Sequence, residues 1–349
     1  MEKNEPANTW QKNKLLIKGI ITGVLILVLL IPTTLIQNLV EERENRQHQA
    51  VNEVSSKWAS SQVLTGPVLI VPYRESVTTD KGKTFSVVTK MAYLLPDELN
   101  IKGQVDPIIR YRSIYKIACY HADMELQGKF VSNNITNLKI PVENIKWNDT
   151  RLIFGLTDTR GVDDQVNILW NGNALPFNAG VPTNDVIKSG ISVPVSCNVN
   201  QNYSFSISLK LKGSEKLYFT PVGKTTTVHI ASSWNNPAFD GSFLPSERKI
   251  KNDGFSADWK VLHHNRNFPQ QWNDEEVNVS ESSFGINLLQ GTDNYAKTMR
   301  SVKYAILFIG LSFALFFLIE LLQKHHVHPI QYILVGIALC IFYTLLLSI

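Results

Sequence analysis

The sequence predicts a mainly β soluble domain that is anchored in a membrane by three α-helices. Three stretches of the 349-residue chain, residues 19–36, 304–322 and 330–349, are apolar with few or no charges. About 20 apolar residues in a helix cross a hydrocarbon layer of about 30 Å, and a helix satisfies its own backbone there. The stretch between the first two segments, residues 37–300, is polar and in many places alternates with period two, which indicates strands.

The first apolar segment, residues 19–36, is predicted to be an uncleaved anchor. A cleavable signal peptide has an apolar stretch of about 7–15 residues followed by an A-x-A-like site. This segment is longer and ends at Gln37 and Asn38. Pro32 lies near its end, where membrane helices tolerate proline because neighbouring groups satisfy the freed backbone.

Positive charges predict which side of the membrane holds the large domain. The tail, residues 1–18, carries several lysines, whereas Arg43 and Arg46 follow the first segment. Cytoplasmic flanks are enriched in Lys and Arg, and the first helix usually dominates orientation. Cations near residue 300 favour the opposite orientation, but long domains translocate largely regardless of charge. We therefore expect a cytoplasmic tail, a cytoplasmic loop over residues 323–329 and a large domain on the other side.

Residues 37–60 predict an amphipathic helix that continues from the anchor. Val40, Val51, Val54 and Trp58 lie at spacings of three, four or their multiples among charged residues. After Trp58 the period changes to two, so residues 61–300 are predicted to form a β-rich domain.

The strongest strand signals are two alternating segments, residues 203–212 and 120–127. One face of each such strand is buried and the other faces water. Further predicted strands cover residues 68–73, 85–94, 151–156, 167–170, 225–231, 255–262 and 283–289.

Gly, Pro, Asn and Asp separate these strands at short intervals, which predicts antiparallel sheets packed as a sandwich. Residues 124–128 and 209–213 repeat a pattern in which a strand ends at glycine. The repeat leaves open an alternative with two sandwiches, although a strand that ends at glycine is also ordinary turn chemistry.

Charge and cysteine content restrict the partners. The net charge is +4, and no basic block is interleaved with aromatic residues, so nucleic acid is not an expected partner. In the predicted soluble part, Cys119 and Cys197 either pair in an oxidising compartment or remain unpaired in the core.

Catalytic motifs are missing from the sequence. It contains no H-E-x-x-H, C-x-x-C, G-x-G-x-x-G or G-x-S-x-G pattern. Gly223-Lys224-Thr225 resembles the end of a P-loop, but a P-loop needs a glycine where this chain has Tyr218. We predict no catalytic residue, no cofactor and no metal site.

Other chemically capable groups have simpler interpretations. Adjacent acids on loops are usually solvated, and histidines or acids at a membrane edge usually lie among headgroups; a metal site, a pH-responsive role and a functional acid remain alternatives. These groups are Asp163, Asp164, Glu275, Glu276, His263, His264, His325, His326, His328 and Glu320.

Several segments together resemble the CreD family. They are residues 91–130, 158–161, 219–226, 233–245, 265–272, 300–308 and 328–332. Within them, and close to them, lie residues that we single out as family-motif residues of unknown role: Asp106, Arg110, Tyr111, Arg112, Asp158, Arg160, Gly161, Trp234, Pro237, Asn265, Arg266, Pro269, Gln270, Trp272, Arg300, Lys303, Tyr304, His328, Pro329 and Gln331.

The resemblance implies a bacterial inner-membrane protein with its large domain in the periplasm. It further implies a link to cell-envelope integrity and to the response to envelope stress, under a two-component regulator. Members of this family have no agreed enzymatic activity. They usually continue with further membrane helices, whereas this chain ends at Ile349, so we expect it to be either a fragment or a shortened member.

Two functions from different classes follow. The first is a non-enzymatic protein in which the β domain binds an envelope protein or glycan and the helices contact the lipid bilayer. The second is a membrane-bound hydrolase or transferase that acts on cell-wall or lipid material. Tryptophans are expected to fill the core, although a row of them on one surface would suit glycan or peptide binding; they are Trp147, Trp170, Trp234, Trp259 and Trp272.

Overall fold

The structure is a computed structural model that describes residues 9–79, 84–131, 138–198, 201–288, 294–323 and 328–345. The chain divides into two compact units, one of Met1–Gln49 with Thr292–Ile349 and the other of Ala50–Gly291. The first unit is helical and the second contains the sheets. Helix α1 (Thr9–Lys57) contributes its last turns to the second unit.

The helical unit contains most of α1 and three further described helices, α2 (Asn294–Lys303), α3 (Ala305–Gln323) and α4 (Pro329–Leu345). They share a small apolar core, while many other aliphatic side chains of α1 and α3 are exposed. Such exposure suits lipid contact. The core consists of Leu29, Ile36, Val302, Ala305, Ile309, Phe313, Tyr332, Cys340 and Tyr343.

Two of the predicted membrane segments are confirmed as helices long and apolar enough to cross a bilayer, Leu16–Lys57 and Lys297–Leu322. The third, in Pro329–Leu345, is apolar but shorter. Residues 346–349 of that segment lie outside the described part, so a third span stays a prediction.

Helix boundaries differ from the predicted ones. The anchor and the connecting helix form one helix that already includes residues 9–18 and ends at Lys57, before Trp58. Pairs one turn apart support its polar half, since Arg46 Nη2 lies 2.6 Å from Glu42 Oε1. Tyr304, the predicted start of the second span, is a turn residue between α2 and α3.

The β unit contains seventeen described strands: β1 (Gln62–Thr79), β2 (Thr84–Leu94), β3 (Glu98–Arg112), β4 (Tyr115–Phe130), β5 (Arg151–Leu156), β6 (Asn167–Trp170), β7 (Asn173–Pro176), β8 (Asn178–Ala179), β9 (Gly190–Pro194), β10 (Tyr203–Ser214), β11 (Lys216–Thr220), β12 (Thr225–Ser232), β13 (Pro237–Gly241), β14 (Glu247–Lys251), β15 (Gly254–Leu262), β16 (Gln271–Asn273) and β17 (Phe284–Leu288). Each predicted strand falls on one of them, so the period-two signal was reliable.

The described strands form two sheets. The first has the order β13-β17-β11-β1-β5-β9-β8, with β2 beside β1 and β16 beside β2. The second has the order β14-β15-β12-β3-β4-β10-β6-β7. The prediction of antiparallel sheets was too simple, because β1 pairs with β11 and β3 with β12 in parallel. Parallel partners need a long crossover, so local turn signals do not reveal them.

One hydrophobic core lies between the two sheets. Phe284 of the first sheet packs against Trp259 of the second, with ring centroids 5.7 Å apart. The Tyr120 hydroxyl of the second sheet donates to the carbonyl oxygen of Lys216 in the first, at 2.8 Å. Most buried apolar residues of this unit form one cluster that draws on both sheets, so the alternative with two sandwiches is wrong.

Tryptophans serve this core, as expected. Trp170, Trp259 and Trp272 are buried, and Trp147 and Trp234 pack against the same cluster while partly exposed. The two predicted cysteine states are also distinguished, because Cys119 and Cys197 are each buried and free.

The repeated strand pattern lies on two neighbouring strands of the second sheet. Leu209 pairs with Met124 across β10 and β4. Each glycine of the repeat lies opposite an aromatic residue, Gly128 opposite Phe205 and Gly213 opposite Tyr120. A Cβ on Gly213 would lie 2.2 Å from the Tyr120 hydroxyl oxygen, so glycine is required by close approach.

We expect Gly128→Ala to lower the free energy of unfolding by about 2 kcal/mol, because overpacking a full core has this order of cost. The added Cβ would lie 2.0 Å from the carbonyl oxygen of Glu98 and 2.6 Å from Cζ of Phe205. Urea unfolding of the full chain in detergent, followed by tryptophan fluorescence, measures the change. Gly310→Ala is the control, since nothing lies within 4 Å of its Cβ position. Equal stability of both variants would contradict the packing argument.

Candidate functional site

Five family-motif residues converge at the end of α1, inside the β unit. Together with five residues of the stretch 53–62 they form what we call the α1-end cluster: Glu53, Ser56, Trp58, Ser60, Gln62, Arg110, Arg112, Asp158, Arg160 and Gly161. Its members come from three stretches of sequence, residues 53–62, 110–112 and 158–161, and the fold brings them together where the helix stops and β1 begins.

Arg160 donates a hydrogen bond to a carbonyl group at the end of α1. The last carbonyl groups of a helix have no partner within the helix, and the C-terminus favours a positive charge. Nη1 of Arg160 donates to the carbonyl oxygen of Ser56, in the last turn of α1. Just beyond the helix, the Ser214 hydroxyl donates to the carbonyl oxygen of Ala59 at 2.9 Å. The orphan carbonyl groups therefore bind donors from the β domain.

Asp158 is the centre of the cluster and is only 8% exposed. Its carboxylate accepts hydrogen bonds from Nε and Nη2 of Arg160, at 2.9 and 2.7 Å, and from the amide and hydroxyl of Ser60, at 3.0 and 3.1 Å. The Arg160 hydrogen bonds, followed by those of Ser60, hold the pKa of Asp158 well below its usual value despite its burial. Asp158 is therefore a charged structural group.

Gln62 and Gly161 pack beside Asp158 in the cluster. Nε2 of the fully buried Gln62 donates to the carbonyl oxygens of Asp158 and Lys212, at 2.8 and 3.3 Å. Its Oε1 accepts from the amide of Asp158 at 3.2 Å. A Cβ on Gly161 would lie 2.4 Å from both Gln62 Nε2 and the Lys212 carbonyl oxygen. The glycine of the Asp158-Thr159-Arg160-Gly161 motif is therefore explained by space.

Cations surround Trp58. Cζ of Arg110 lies 4.6 Å and Nζ of Lys212 lies 5.3 Å from its ring centroid. The His121 ring makes an edge contact at 5.3 Å. Cation–π contacts hold an aromatic ring in place at modest energy.

Arg112 ties the tip of the β3–β4 hairpin to α1. Its Nη2 lies 2.7 Å from Oε1 of Glu53, which also pairs with Lys57 at 3.0 Å. These hydrogen bonds lower the pKa of Glu53. Exposed ion pairs add little stability, so this contact contributes orientation more than energy.

A second group of motif residues braces the loop before β16. Arg266 is 7% exposed, and its guanidinium donates to the carbonyl oxygens of Phe268, Pro269 and Val222, at 3.1, 3.3 and 3.4 Å, and to the Gln270 side chain. Burial lowers the pKa of Arg266 to about 10.

The rest of the brace is also structural. Nε2 of Gln270 donates to the carbonyl oxygens of Leu95 and Pro96, at 3.0 and 2.8 Å. Trp272 stacks on Tyr93 with centroids 5.4 Å apart. Oδ1 of Asn265 accepts from the amide of Leu262 at 3.3 Å.

Motif residues of the helical unit mark helix ends. Nδ1 of His328 accepts from the amide of Ile330 at 3.3 Å, and its carbonyl oxygen accepts from the amide of Gln331 at 2.9 Å. Pro329 is the first residue of α4, a position that suits proline. Exposed polar and aromatic residues lie where α2 meets α3, as expected of a membrane interface; they are Arg300, Lys303 and Tyr304.

The remaining motif residues are isolated from these groups. Asp106 is exposed on β3, and Tyr111 is 66% exposed near the hairpin tip. The Trp234 indole donates to the carbonyl oxygen of Asn236 at 3.1 Å, just before Pro237 begins β13.

Other chemically capable groups have ordinary partners. Asp163 pairs with Lys212, and Glu320 pairs with Lys18. The Gly223-Lys224 segment is a loop between β11 and β12, with no helix after it. His325 and His326 lie outside the described residues. In the part of the chain that the structure describes, no group of three or more His, Cys, Asp or Glu residues is arranged to hold a metal ion.

The β unit contains a cavity of about 570 Å³ that no sequence motif predicted. It lies on the face of the first sheet that points away from the core, and Val63, Thr65, Tyr218 and Ser283 are among its lining residues. The available signal was the alternation itself, because Tyr218 and Thr220 flank the core residue Phe219.

We expect Arg160→Ala to lower the thermal midpoint at pH 7 and the difference from the parent chain to shrink as the pH falls from about 5 to about 2. The pKa of Asp158 is depressed in the folded state, so its stabilisation is present above the unfolded pKa and lost on acidification. Thermal unfolding across pH measures this. Arg74→Ala, an exposed arginine on β1, is the matched control. A difference that stays constant with pH would refute the role of this ion pair.

Comparisons with known proteins agree with the resemblance. A model of the family described as "Inner membrane protein CreD" matches residues 14–349. The Escherichia coli (strain K12) protein "Inner membrane protein CreD" is 30% identical over 331 residues, which is 93% of this chain and 72% of that protein.

Likeness to solved structures is slight. An M1 zinc metallopeptidase from Deinococcus radiodurans has a TM-score of 0.23 and 10% identity, over 48% of this chain and 38% of that chain. A two-domain M1 zinc metallopeptidase bound to L-tryptophan has a TM-score of 0.22 and 11% identity, over 55% and 44%. At these TM-scores the likeness supports no conclusion about fold or activity. By the family match over residues 14–349, this chain belongs to the CreD family of inner membrane proteins.

Proposed function

We propose that the protein supports cell-envelope integrity and the response to envelope stress through a non-enzymatic β domain in the periplasm. The α1-end cluster is the observation that carries this proposal. Family-motif residues of the domain bind the end of the helix that also contains the N-terminal apolar segment. The last turns of this helix are thus part of the β unit.

The chemistry of the cluster supports an attachment role. Asp158, the acid with the most strongly depressed pKa there, is charged and has its oxygens occupied by Arg160 and Ser60. A general acid or base needs a pKa near the working pH and access to substrate. Asp158 has neither, so it suits a structural link.

Such a link supports transmission of binding events. A ligand shifts a conformational equilibrium only if it contacts the two states differently. Trp58, held between Arg110 and Lys212, and Glu53, held by Arg112, connect α1 to β3 and β10. A change in those strands would therefore alter contacts of the helix end.

Charge distribution supports the periplasmic placement. Lysines precede the first apolar segment, and the first helix usually dominates orientation. We further propose that α4 extends into a third span and that the loop before it is cytoplasmic.

We expect the double variant Arg110→Ala and Arg160→Ala to accumulate in the membrane yet fail to protect cells. Removing both cations takes one cation–π contact from Trp58 and the Arg160 donor from the helix end, and it changes no apolar core residue. A bacterial strain that lacks this protein receives the variant on a plasmid. Its survival in medium that contains detergent is then measured. Arg74→Ala with Lys249→Ala removes two exposed cations elsewhere and should protect fully. Full protection by the cluster variant would sink the proposal.

Topology is tested separately. An alkaline phosphatase reporter inserted at Asn171 and Gly172, an exposed turn between β6 and β7, is expected to be active, since that enzyme matures only outside the cytoplasm. A green fluorescent protein at the same site is the control for cytoplasmic placement. Fluorescence without phosphatase activity would place this turn in the cytoplasm and contradict the proposed orientation.

A further inference from the structure

The cavity on the first sheet has a floor made by four neighbouring strands, β5, β1, β11 and β17. Thr65 pairs with Thr220 across β1 and β11, and Tyr218 pairs with Gly285 across β11 and β17. Because side chains alternate along a strand, these residues point away from the core that holds Phe219. The floor is therefore a small polar patch beside one aromatic ring.

Three hydroxyl groups form a buried chain in this floor. Thr65 Oγ1 lies 2.8 Å from Thr220 Oγ1, which lies 3.0 Å from Ser283 Oγ. All three residues are buried, and Thr65 and Ser283 line the cavity. A hydroxyl has one donor and two acceptor positions, so two bonds among three hydroxyls leave one donor and several lone pairs for another partner.

Backbone features keep this floor open. The pairing of β1 with β5 shifts register between Thr65 and Val68, which indicates a β-bulge beside Thr65. Bulges redirect side chains and are common next to binding sites. Gly155, opposite Thr65, places no side chain on the floor, and its Cβ would lie 3.1 Å from Thr65 Cβ.

The walls come from two loops, residues 184–189 and 276–280. They contribute apolar Val186 and Val277 together with polar Asn184. Charged residues of both signs, Asp185, Lys188 and Glu276, also line the cavity. A volume of about 570 Å³ is typical of sites for small ligands.

We propose that this cavity binds an uncharged, polyhydroxylated ligand, a sugar unit, through the hydroxyls of Thr65 and Ser283 and the ring of Tyr218. Sugar hydroxyls both donate and accept, as the buried chain does. The apolar face of a sugar ring packs well on an aromatic ring. Asp240 holds the Tyr218 hydroxyl, so this ring is already placed before a ligand arrives.

Two other ligand classes fit less well. A peptide that binds as an added strand needs a free sheet edge, and each of the four floor strands is already paired on both sides. An anionic ligand would meet two acids and one lysine in the cavity lining, so it gains no net attraction. This inference rests on the proposed function, because an envelope protein would meet glycans. Envelope glycans and free sugars both contain such hydroxyl-rich units.

Calorimetric titration of the full chain in lipid nanodiscs tests the proposal. The probes are N,N′-diacetylchitobiose, as a glycan fragment, and maltose, as a free sugar. We expect saturable binding of at least one of them. Binding of chitobiose alone assigns a glycan unit, and binding of maltose alone assigns a free sugar. Absence of saturable binding for both overturns the proposal.

Variants then locate the site. Ser283→Ala and Thr65→Val should each weaken binding about fivefold, the loss expected for one hydrogen bond. Tyr218→Ala should weaken it at least as much. Thr227→Val is the matched control, because its hydroxyl bonds to Asn100 on the other sheet. The thermal midpoints of the variants are compared first. If another variant fails to fold, the binding measured for Ser283→Ala, the mildest change, tests the assignment.

Binding that all three cavity variants leave unchanged would overturn the assignment. A negative sugar titration together with loss of protection by the Arg110→Ala, Arg160→Ala variant would reject this inference alone. Sugar binding together with full protection by that variant would reject the proposed function of the cluster instead.

Discussion

The ion pair between Asp158 and Arg160 is the contact on which the packing of the last turns of α1 within the β unit depends. A helix end leaves carbonyl groups without partners, and a chain that turns at once into a strand must satisfy them. Arg160 supplies the donor to Ser56, and Asp158 holds both Arg160 and Ser60. Because the carboxylate is nearly buried, it is stable only while these partners remain, so the helix end and the domain form as one unit.

The shared core divides each sheet into two different faces. Trp259 and Phe284 meet between the sheets and take up the apolar face of each. On the other face of the first sheet, Thr65 and Tyr218 line the cavity together with polar and apolar residues of the loops that cover it. This division explains how one sheet both stabilises the domain and offers a cavity.

Period-two alternation was enough to predict most of the long strands, including β10, where alternate residues are buried. β3 was missed because Gly103 interrupts its alternation at a core position that the Met124 side chain fills instead. Short strands such as β8 and β16 carry too few residues to show a period. The parallel pairs β1–β11 and β3–β12 were missed because their partners lie far apart in sequence.

By itself, the sequence determined the two long apolar helices and many of the strands, because the length and the period of apolar residues act locally. It also identified Arg110, Asp158 and Arg160 as residues of a family motif, without a role. Only the tertiary structure decided that they meet at the end of α1 and that three distant hydroxyls form one chain. Such contacts depend on strand order and register, which are set by packing over the whole domain and leave no local pattern.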